Sequence, residues 1–239
     1  MKENIVVYSD GSSRGNPGPG GWGSAILFPG GKVIELGGRE EMTTNNKMEL
    51  TGALMALREI YKREKDGEES VEVHVDSAYV LQGITMWVYG WEKNGWLTKT
   101  GDSVLNQELW KDLSQTVRLL KLKREIKWTK VSGHAGVALN ERVDTIATAY
   151  ATGEKVLLYT VPKDTYMKLI EEEAKNKPKK SAGSSSKKAY SYVSKVDGKV
   201  YVDKTWDECK KRVSGKKGVR YKKVFSSAEE NNLVLDWKK

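Results

Sequence analysis

The sequence predicts an α/β protein: a mixed five-stranded sheet flanked by helices, followed by a small α+β domain. Three strand-like apolar runs, separated by turn residues, fill residues 4–38. Helical and strand-like patterns then alternate as far as residue 151. Three antiparallel strands followed by alternating helices and strands are typical of a mixed sheet with helices on its faces.

The elements of this larger part follow from apolar spacing. Strand-like runs lie at residues 4–10, 22–28 and 32–38, and an Asn-Pro-Gly-Pro-Gly-Gly segment at 16–21 has turn chemistry. Apolar residues at helical spacing predict a helix over residues 46–65. The remaining predicted elements are a strand at 71–76, short helices within 77–92, a helix near 105–121, a strand at 125–131 and a helix at 139–151.

The chain divides into two domains and a linker. Residues 163–176 have helical character, whereas residues 177–188 lack large apolar side chains and cannot bury enough surface to fold alone. We therefore predict a first domain at 1–155, a helical and flexible basic linker at 156–188, and a second domain at 189–239.

The second domain is predicted to be a small sheet with helices. Alternating valines indicate a hairpin around Asp197 and Gly198, and a helix is expected after Thr205, with Glu208 completing a capping box. A third strand at 220–225 and a last helix starting at 226–230 complete it. Such a length is near the lower limit for an independent fold.

Composition indicates a folded, soluble protein of a reducing compartment. Of 239 residues, 38% are hydrophobic and 31% charged, and no apolar run approaches the roughly 20 residues of a membrane span. The single cysteine, Cys209, excludes an internal disulfide. The first residues lack a signal-peptide pattern. We expect a cytoplasmic monomer with no membrane association and no obligate protein partner.

The net charge of +9 is unevenly placed. Residues 1–160 carry 20 Lys and Arg against 21 Asp and Glu, whereas residues 161–239 carry 21 against 11. Such asymmetry favours a nucleic-acid partner. A solvated basic surface is an equally good interpretation of charge alone.

Four acidic residues are candidates for one metal site. Asp10 and Asp76 end strand-like runs, Glu49 stands where a helix begins, and Asp144 lies within the last helix of the first domain. Carboxylates at strand ends and on facing helices can converge on Mg²⁺, which prefers hard oxygen ligands. Two such ions can clamp the attacking and leaving oxygens of a phosphodiester.

These four acids and their flanking residues resemble type 1 ribonuclease H over about residues 1–150. Asp10 lies in Ser-Asp-Gly-Ser and Glu49 in Thr-Thr-Asn-Asn-x-Met-Glu-Leu. The resemblance implies a ribonuclease H-like fold and endonucleolytic hydrolysis of the RNA strand of RNA–DNA hybrids. It also implies Asp10, Glu49, Asp76 and Asp144 as ligands of two Mg²⁺ ions, replaceable by Mn²⁺, and products with 5′-phosphate and 3′-hydroxyl ends.

The resemblance assigns a fifth catalytic residue to a loop. His134 lies in Gly-His-Ala-Gly, ten residues before Asp144. The family uses a histidine here for proton transfer and product departure, which suits a group whose pKa lies near neutrality. The family often continues with His-Pro, whereas this chain has Val137 and Ala138. The resemblance therefore does not fix the conformation of this loop.

Polar residues near the acids are candidates for hybrid recognition, which must read the 2′-hydroxyl. Asn16, Asn45 and Asn46 match positions that the family places against the two strands, and backbone groups of Gly11 and Ser12 can contribute. Asparagine is also a frequent turn and N-cap residue, so a structural role is an alternative.

Further contacts with the DNA strand follow from the same resemblance. Thr44 and Asn106 match positions that hold a DNA phosphate, although Met42 replaces a frequent arginine. Trp87, Trp91 and Trp96 match the family's protrusion; the spacing of Trp87 and Trp91 indicates core packing, whereas Trp96 is kept as a substrate contact.

The second domain resembles the hybrid-binding domain of many ribonucleases H. Trp206 and Tyr221 would face DNA sugars, and Lys222 and Lys223 would face phosphates, a recurring combination on nucleic-acid surfaces. A small core also needs Trp and Tyr, which is the structural alternative.

Two alternative functions are kept. One is a catalytically weak or inactive hybrid-binding protein, which the presence of all four acids disfavours. The other is a DNA-cutting member of the same superfold, since fold does not fix function.

Overall fold

The computed structural model describes residues 4–64, 67–132, 137–176, 189–214 and 219–238. The chain forms two compact units, Met1–Asn176 and Lys177–Lys239. Within the described residues, no helix is both long and apolar enough to cross a membrane.

The N-terminal unit is built on a mixed sheet of six strands in the order β5-β4-β1-β2-β3-β6. β1 to β3 form an antiparallel meander, β4 pairs parallel to β1, and β5 pairs parallel to β4. The mixed sheet is confirmed. Its strands are β1 (Ile5–Ser13), β2 (Gly18–Leu27), β3 (Lys32–Thr43), β4 (Val71–Val75), β5 (Ile126–Lys130) and β6 (Thr160–Pro162).

Helices cover both faces of this sheet. Successive residues of a strand point to opposite faces, so neighbouring residues of β2 contact different helices. On β2, Ser24 donates a hydrogen bond to the carbonyl of Gly52 in α1, whereas a Cβ on Gly23 would meet Val143 and Ile146 of α5. The helices are α1 (Asn45–Glu64), α2 (Ala78–Gln82), a π-helical turn (Gly83–Trp87), α3 (Val88–Lys93), α4 (Gln107–Lys121), α5 (Ala138–Thr152) and α6 (Lys163–Asn176).

The first unit extends further than the sequence predicted. The sheet has a sixth strand, β6, which pairs antiparallel with β3 and is too short to recognise from alternation. In α6, Tyr166 and Ile170 are one helical turn apart and are buried against Leu27 and Val33. The compact N-terminal unit therefore ends at Asn176, beyond the predicted boundary at 155, and β6 and α6 occupy part of the predicted linker. Residues 177–188 lie outside the described part of the chain.

The C-terminal unit has a three-stranded sheet in the order β8-β7-β9. One helix packs on each face: Cys209 contacts the side that carries Val196, and Lys195, on the opposite side, donates to the carbonyl of Trp237. The predicted hairpin is confirmed: Asp197 and Gly198 both have positive φ, as a two-residue turn requires. The Thr205–Glu208 capping box is also present. The elements are β7 (Ser191–Val196), β8 (Lys199–Asp203), α7 (Trp206–Val213), β9 (Arg220–Val224) and α8 (Ser227–Lys238).

Candidate active site

Two local features bring the first three acids together. Gly11 touches α1 so closely that a Cβ there would lie 2.2 Å from the backbone nitrogen of Glu49, so only glycine fits. The parallel register pairs Ser9 with Val75, which places Asp10 beside Asp76. Asp76 directly follows β4, as expected, whereas Asp10 lies within β1, which continues to Ser13. Backbone geometry therefore fixes the positions of three carboxylates before any ligand is considered.

The fourth acid, Asp144, reaches the same place from α5. The four carboxylates line one cavity of about 260 Å³. Its described lining contains no lysine or arginine and consists of Asp10, Gly11, Ser12, Asn45, Glu49, Asp76, Asn140, Glu141 and Asp144. The structure thus brings the four predicted acids together in an acidic pocket whose described lining holds no basic side chain.

The acidic pocket disfavours ionisation of Asp10. Asp10 is only 8% exposed. Burial, followed by repulsion from Asp76, raises its pKa to about 8, although the backbone N–H of Gly11 donates to its Oδ1 at 2.7 Å and opposes the rise. A carboxyl group in this state binds either a proton or a cation.

Glu49 is similarly perturbed and is also held in place. Burial is the main cause that raises its pKa to about 7. The side-chain amide of Asn45 donates to its Oε1 at 2.7 Å, and the hydroxyl of Ser77 donates to its Oε2. Both carboxylate oxygens are therefore oriented by neighbouring side chains.

The donor set fits a hard divalent cation that keeps part of its water shell. Among the described residues, no three Asp, Glu, His or Cys side chains are placed so that they could hold a metal ion without rearrangement or bridging water. Mg²⁺ is usually bound through one or two carboxylates with several waters retained. The open pocket, in which five carboxylates including Glu141 line one cavity, suits an ion that keeps part of its water shell.

The predicted recognition residues lie around the cavity. Gly11 and Ser12 line it, and Asn16 accepts a 3.3 Å hydrogen bond from the backbone N–H of Asn45. Asn46 is exposed in the first turn of α1. His134 lies outside the described residues.

The proposed phosphate contacts have structural partners. The Thr44 hydroxyl accepts a 3.3 Å hydrogen bond from the N–H of Lys47. Asn106 has a left-handed backbone (φ +58°), and its amide donates to the hydroxyl of Tyr79 at 3.2 Å. Met42 is 69% exposed, so this position offers neither charge nor packing.

Trp96 is partly packed against its neighbours. It is half-buried, its ring centroid lies 6.4 Å from that of Trp91, and the ammonium of Lys111 lies 5.9 Å from its ring. Trp87 and Trp91 are in ring contact, as packing residues would be. Trp96 is therefore partly packed, and its contact with the substrate stays a prediction.

The C-terminal unit presents an aromatic surface. The rings of Tyr192, Trp206 and Tyr221 follow one another with centroids 5.5 and 5.4 Å apart, and Tyr221 is 54% exposed. Lys223 pairs with Tyr192 across the sheet and shares this face. We name the face formed by Tyr192, Trp206, Tyr221 and Lys223 the aromatic face.

Lys222 does not share the aromatic face. Lys222 pairs with Val193, so strand alternation turns it to the face covered by α8. Its Nζ lies 3.6 Å from Oε1 of Glu229. The resemblance to the hybrid-binding domain assigned both Lys222 and Lys223 to phosphates, but neighbouring residues of a strand point to opposite faces of the sheet.

Sequence reasoning missed two residues of the cavity region. Ser77 both orients Glu49 and caps α2, accepting a 3.3 Å hydrogen bond from the N–H of Val80. A serine directly after Asp76, before a helix, was an available signal. Asn140 is buried in the cavity wall, one helical turn before Asp144, and this spacing could have revealed it.

The comparisons agree with this geometry. Residues 2–152 match the model of the RNase H family. Ribonuclease H of Thermosynechococcus vestitus is 43% identical over 157 residues, covering 66% of this chain and 94% of the relative. Ribonuclease HI of Caulobacter vibrioides is 46% identical over 147 residues, covering 62% and 92%.

Structural similarity leads to the same conclusion. The crystal structure of LC9-RNase H1, a type 1 RNase H, is similar with a TM-score of 0.58 and 30% identity, covering 73% of this chain and 85% of that one. A nuclease fold with a four-carboxylate site is therefore present. The chain belongs to the ribonuclease H family, whose enzymes hydrolyse the RNA strand of RNA–DNA hybrids.

The second unit has its own match. Residues 194–231 match the family model described as the ribonuclease H1 N-terminal domain. In this chain that module follows the catalytic unit, whereas the description places it at the N-terminus.

Proposed function

We propose that this enzyme cuts the RNA strand of RNA–DNA hybrids with two Mg²⁺ ions held by Asp10, Glu49, Asp76 and Asp144, and that Mn²⁺ can replace Mg²⁺. The observation that carries the proposal is the acidic cavity, whose described lining holds no lysine or arginine. Burial and mutual repulsion there raise the pKa of Asp10 to about 8 and the pKa of Glu49 to about 7. Divalent cations relieve that repulsion. Ions held by these four carboxylates would supply activation of the attacking water and stabilisation of the departing 3′ oxygen.

The chain's own residues supply orientation and selection. Asn45 and Ser77 hold both oxygens of Glu49 in fixed directions. Asn16, Asn45 and Asn46, with backbone groups of Gly11 and Ser12, contact the 2′-hydroxyl side of the hybrid, since amides both donate and accept.

Neighbouring residues hold the DNA strand and complete the reaction. Thr44 and Asn106 grip a DNA phosphate, and Trp96 lies against the DNA strand. His134 assists proton transfer and product departure. The products carry 5′-phosphate and 3′-hydroxyl ends.

The C-terminal unit holds the duplex for the catalytic unit. The aromatic face combines exposed rings with Lys223, and base or sugar stacking with phosphate contacts is typical of nucleic-acid surfaces. We assign Trp206 and Tyr221 to sugars and Lys223 to a phosphate, and we remove Lys222 from the contact set. We place the enzyme in the cytoplasm as a monomer.

A substrate panel tests the catalytic proposal. The full chain is incubated with labelled RNA–DNA hybrid, double-stranded RNA and double-stranded DNA, with and without Mg²⁺. We expect cutting of the RNA strand of the hybrid only, and only with the metal. A hybrid with 2′-O-methyl groups across the site should resist. Cutting of all-DNA duplex would favour the DNA-cutting alternative, and binding without cutting would favour the inactive one.

A further inference from the structure

Asn140 occupies an unusual position for a neutral polar residue. It lies in the first turn of α5, four residues before Asp144, so both side chains face the acidic cavity. Asn140 is only 3% exposed, and its Oδ1 has no hydrogen-bond partner among the described residues. Leaving such a group unsatisfied costs about 1–3 kcal/mol, so packing alone does not account for an asparagine here.

The surroundings explain why the chain itself does not satisfy this oxygen. Ionised carboxylates accept hydrogen bonds and donate none. The ionised carboxylates that line the same cavity, Glu141 and Asp144 among them, therefore compete with it for donors. A ligand that brings donors of its own is needed, and a hydrated divalent cation does so through its bound waters, several of which Mg²⁺ retains.

We propose that Asn140 is a positioning residue of the metal centre, whose Oδ1 accepts a hydrogen bond from a water bound to a divalent cation in the cavity. The inference rests on the proposed function and adds a fifth side chain to the four carboxylates. Partners of this kind fix the ligands around a metal, and their loss typically weakens metal affinity 10- to 100-fold.

Calorimetric titration of the full chain with MgCl₂, without nucleic acid, tests this role. Asn140→Leu removes the acceptor while keeping a similar shape, Asn140→Asp keeps an acceptor, and Thr152→Ala on the exposed end of α5 is the matched control. We expect Asn140→Leu to weaken Mg²⁺ binding by about 10- to 100-fold. Asn140→Asp and the control should keep most of the wild-type affinity. Asn140→Ala replaces the leucine variant if that variant does not fold.

The outcomes separate this inference from the proposed function. Wild-type affinity in a folded variant without the acceptor overturns the role of Asn140 and leaves the four-carboxylate site standing. A wild-type chain that binds no Mg²⁺ overturns the metal centre itself. Weakened binding in the control as well as in Asn140→Leu would assign the effect to the stability of α5 and also overturn the inference.

Discussion

Asp10 and Glu35 are both buried carboxylates of the same sheet, yet their surroundings are opposite. Glu35, on β3, is 3% exposed and accepts hydrogen bonds from Nε and Nη2 of Arg142, the N–H of Tyr159 and the hydroxyl of Tyr166, all within 2.9 Å. Asp10 shares its cavity with four further carboxylates, Glu141 among them, and the described lining contains no lysine or arginine.

Glu35 is therefore a charged residue that stabilises the fold, whereas Asp10 is available to bind a ligand. Arg142 and Asp144 are two residues apart on α5 and therefore point away from each other, one to Glu35 and one to the cavity. Arg142 also donates to Glu173 of α6 at 2.6 Å. One side of α5 is thus held by the hydrogen-bonded ion pairs of Arg142, whereas its other side presents Asp144 to a cavity whose described lining has no basic side chain.

The largest expected effect comes from removing the residues that complete the Glu35 network. A chain ending at residue 155 loses Tyr166 and Ile170, whose burial contributes about 1.5–3 kcal/mol each, and uncovers Leu27 and Val33. We expect its free energy of unfolding in urea to fall by several kcal/mol relative to a chain ending at residue 176. Equal unfolding midpoints for the two truncations would show that β6 and α6 are dispensable.

Breaking the network at a single residue should have the next largest effect. Glu35→Ala leaves Arg142 as a buried charge without its main partner, which typically costs about 3–5 kcal/mol. Urea denaturation measures the loss. Arg58→Ala, which breaks the exposed Arg58–Asp112 pair at 2.8 Å, is the matched control and should cost about 0–1 kcal/mol. A similar cost for both variants would contradict the distinction.

Neutralising Asp10 should raise the free energy of unfolding, whereas the two changes above should lower it. Asp10→Asn keeps the shape and removes a repelled carboxylate, so we expect stability to rise by about 1–2 kcal/mol in metal-free buffer while cleavage is lost and hybrid binding is kept. Thermal unfolding and cleavage of labelled hybrid measure the two effects. Asp112→Asn on the surface should change neither cleavage nor stability greatly. Near-normal turnover of Asp10→Asn in Mg²⁺ would refute the site.

The stability gain of Asp10→Asn should depend on pH. Folding raises the pKa of Asp10 to about 8, from about 3.9 in an unfolded chain. The folded state therefore binds this proton more tightly, and its contribution to stability is complete below about pH 4 and lost as pH rises towards 8. The difference in Tm between variant and wild type should widen over that range without metal and shrink with Mg²⁺. A constant difference would show that Asp10 is not perturbed.

The sequence predicted the four acidic residues of the site better than it predicted the contacts that hold them in place. Asp10, Glu49, Asp76 and Asp144 sit in recognisable local contexts, and apolar periodicity located most strands and helices. The extension beyond residue 155 was missed because the burial of Tyr166 depends on a partner on β3, far away in sequence. Contacts between distant residues, such as that between Ser77 and Glu49, leave no local pattern either.

The same contrast between paired and unpaired charge yields the smallest and most specific prediction, in the C-terminal unit. Lys222 lies near Glu229 on the α8 side, whereas Lys223 shares the aromatic face. In an inactive Asp10→Asn background, hybrid binding is followed by fluorescence anisotropy over a series of salt concentrations. Lys223→Ala should reduce the log–log salt slope by about 0.9, the value for one phosphate contact, and Lys222→Ala should leave it unchanged. Trp206→Ala should lose about 1–3 kcal/mol of binding without changing the slope, since stacking releases few counterions. Equal slope changes for the two lysines would mean that the duplex does not lie on the aromatic face.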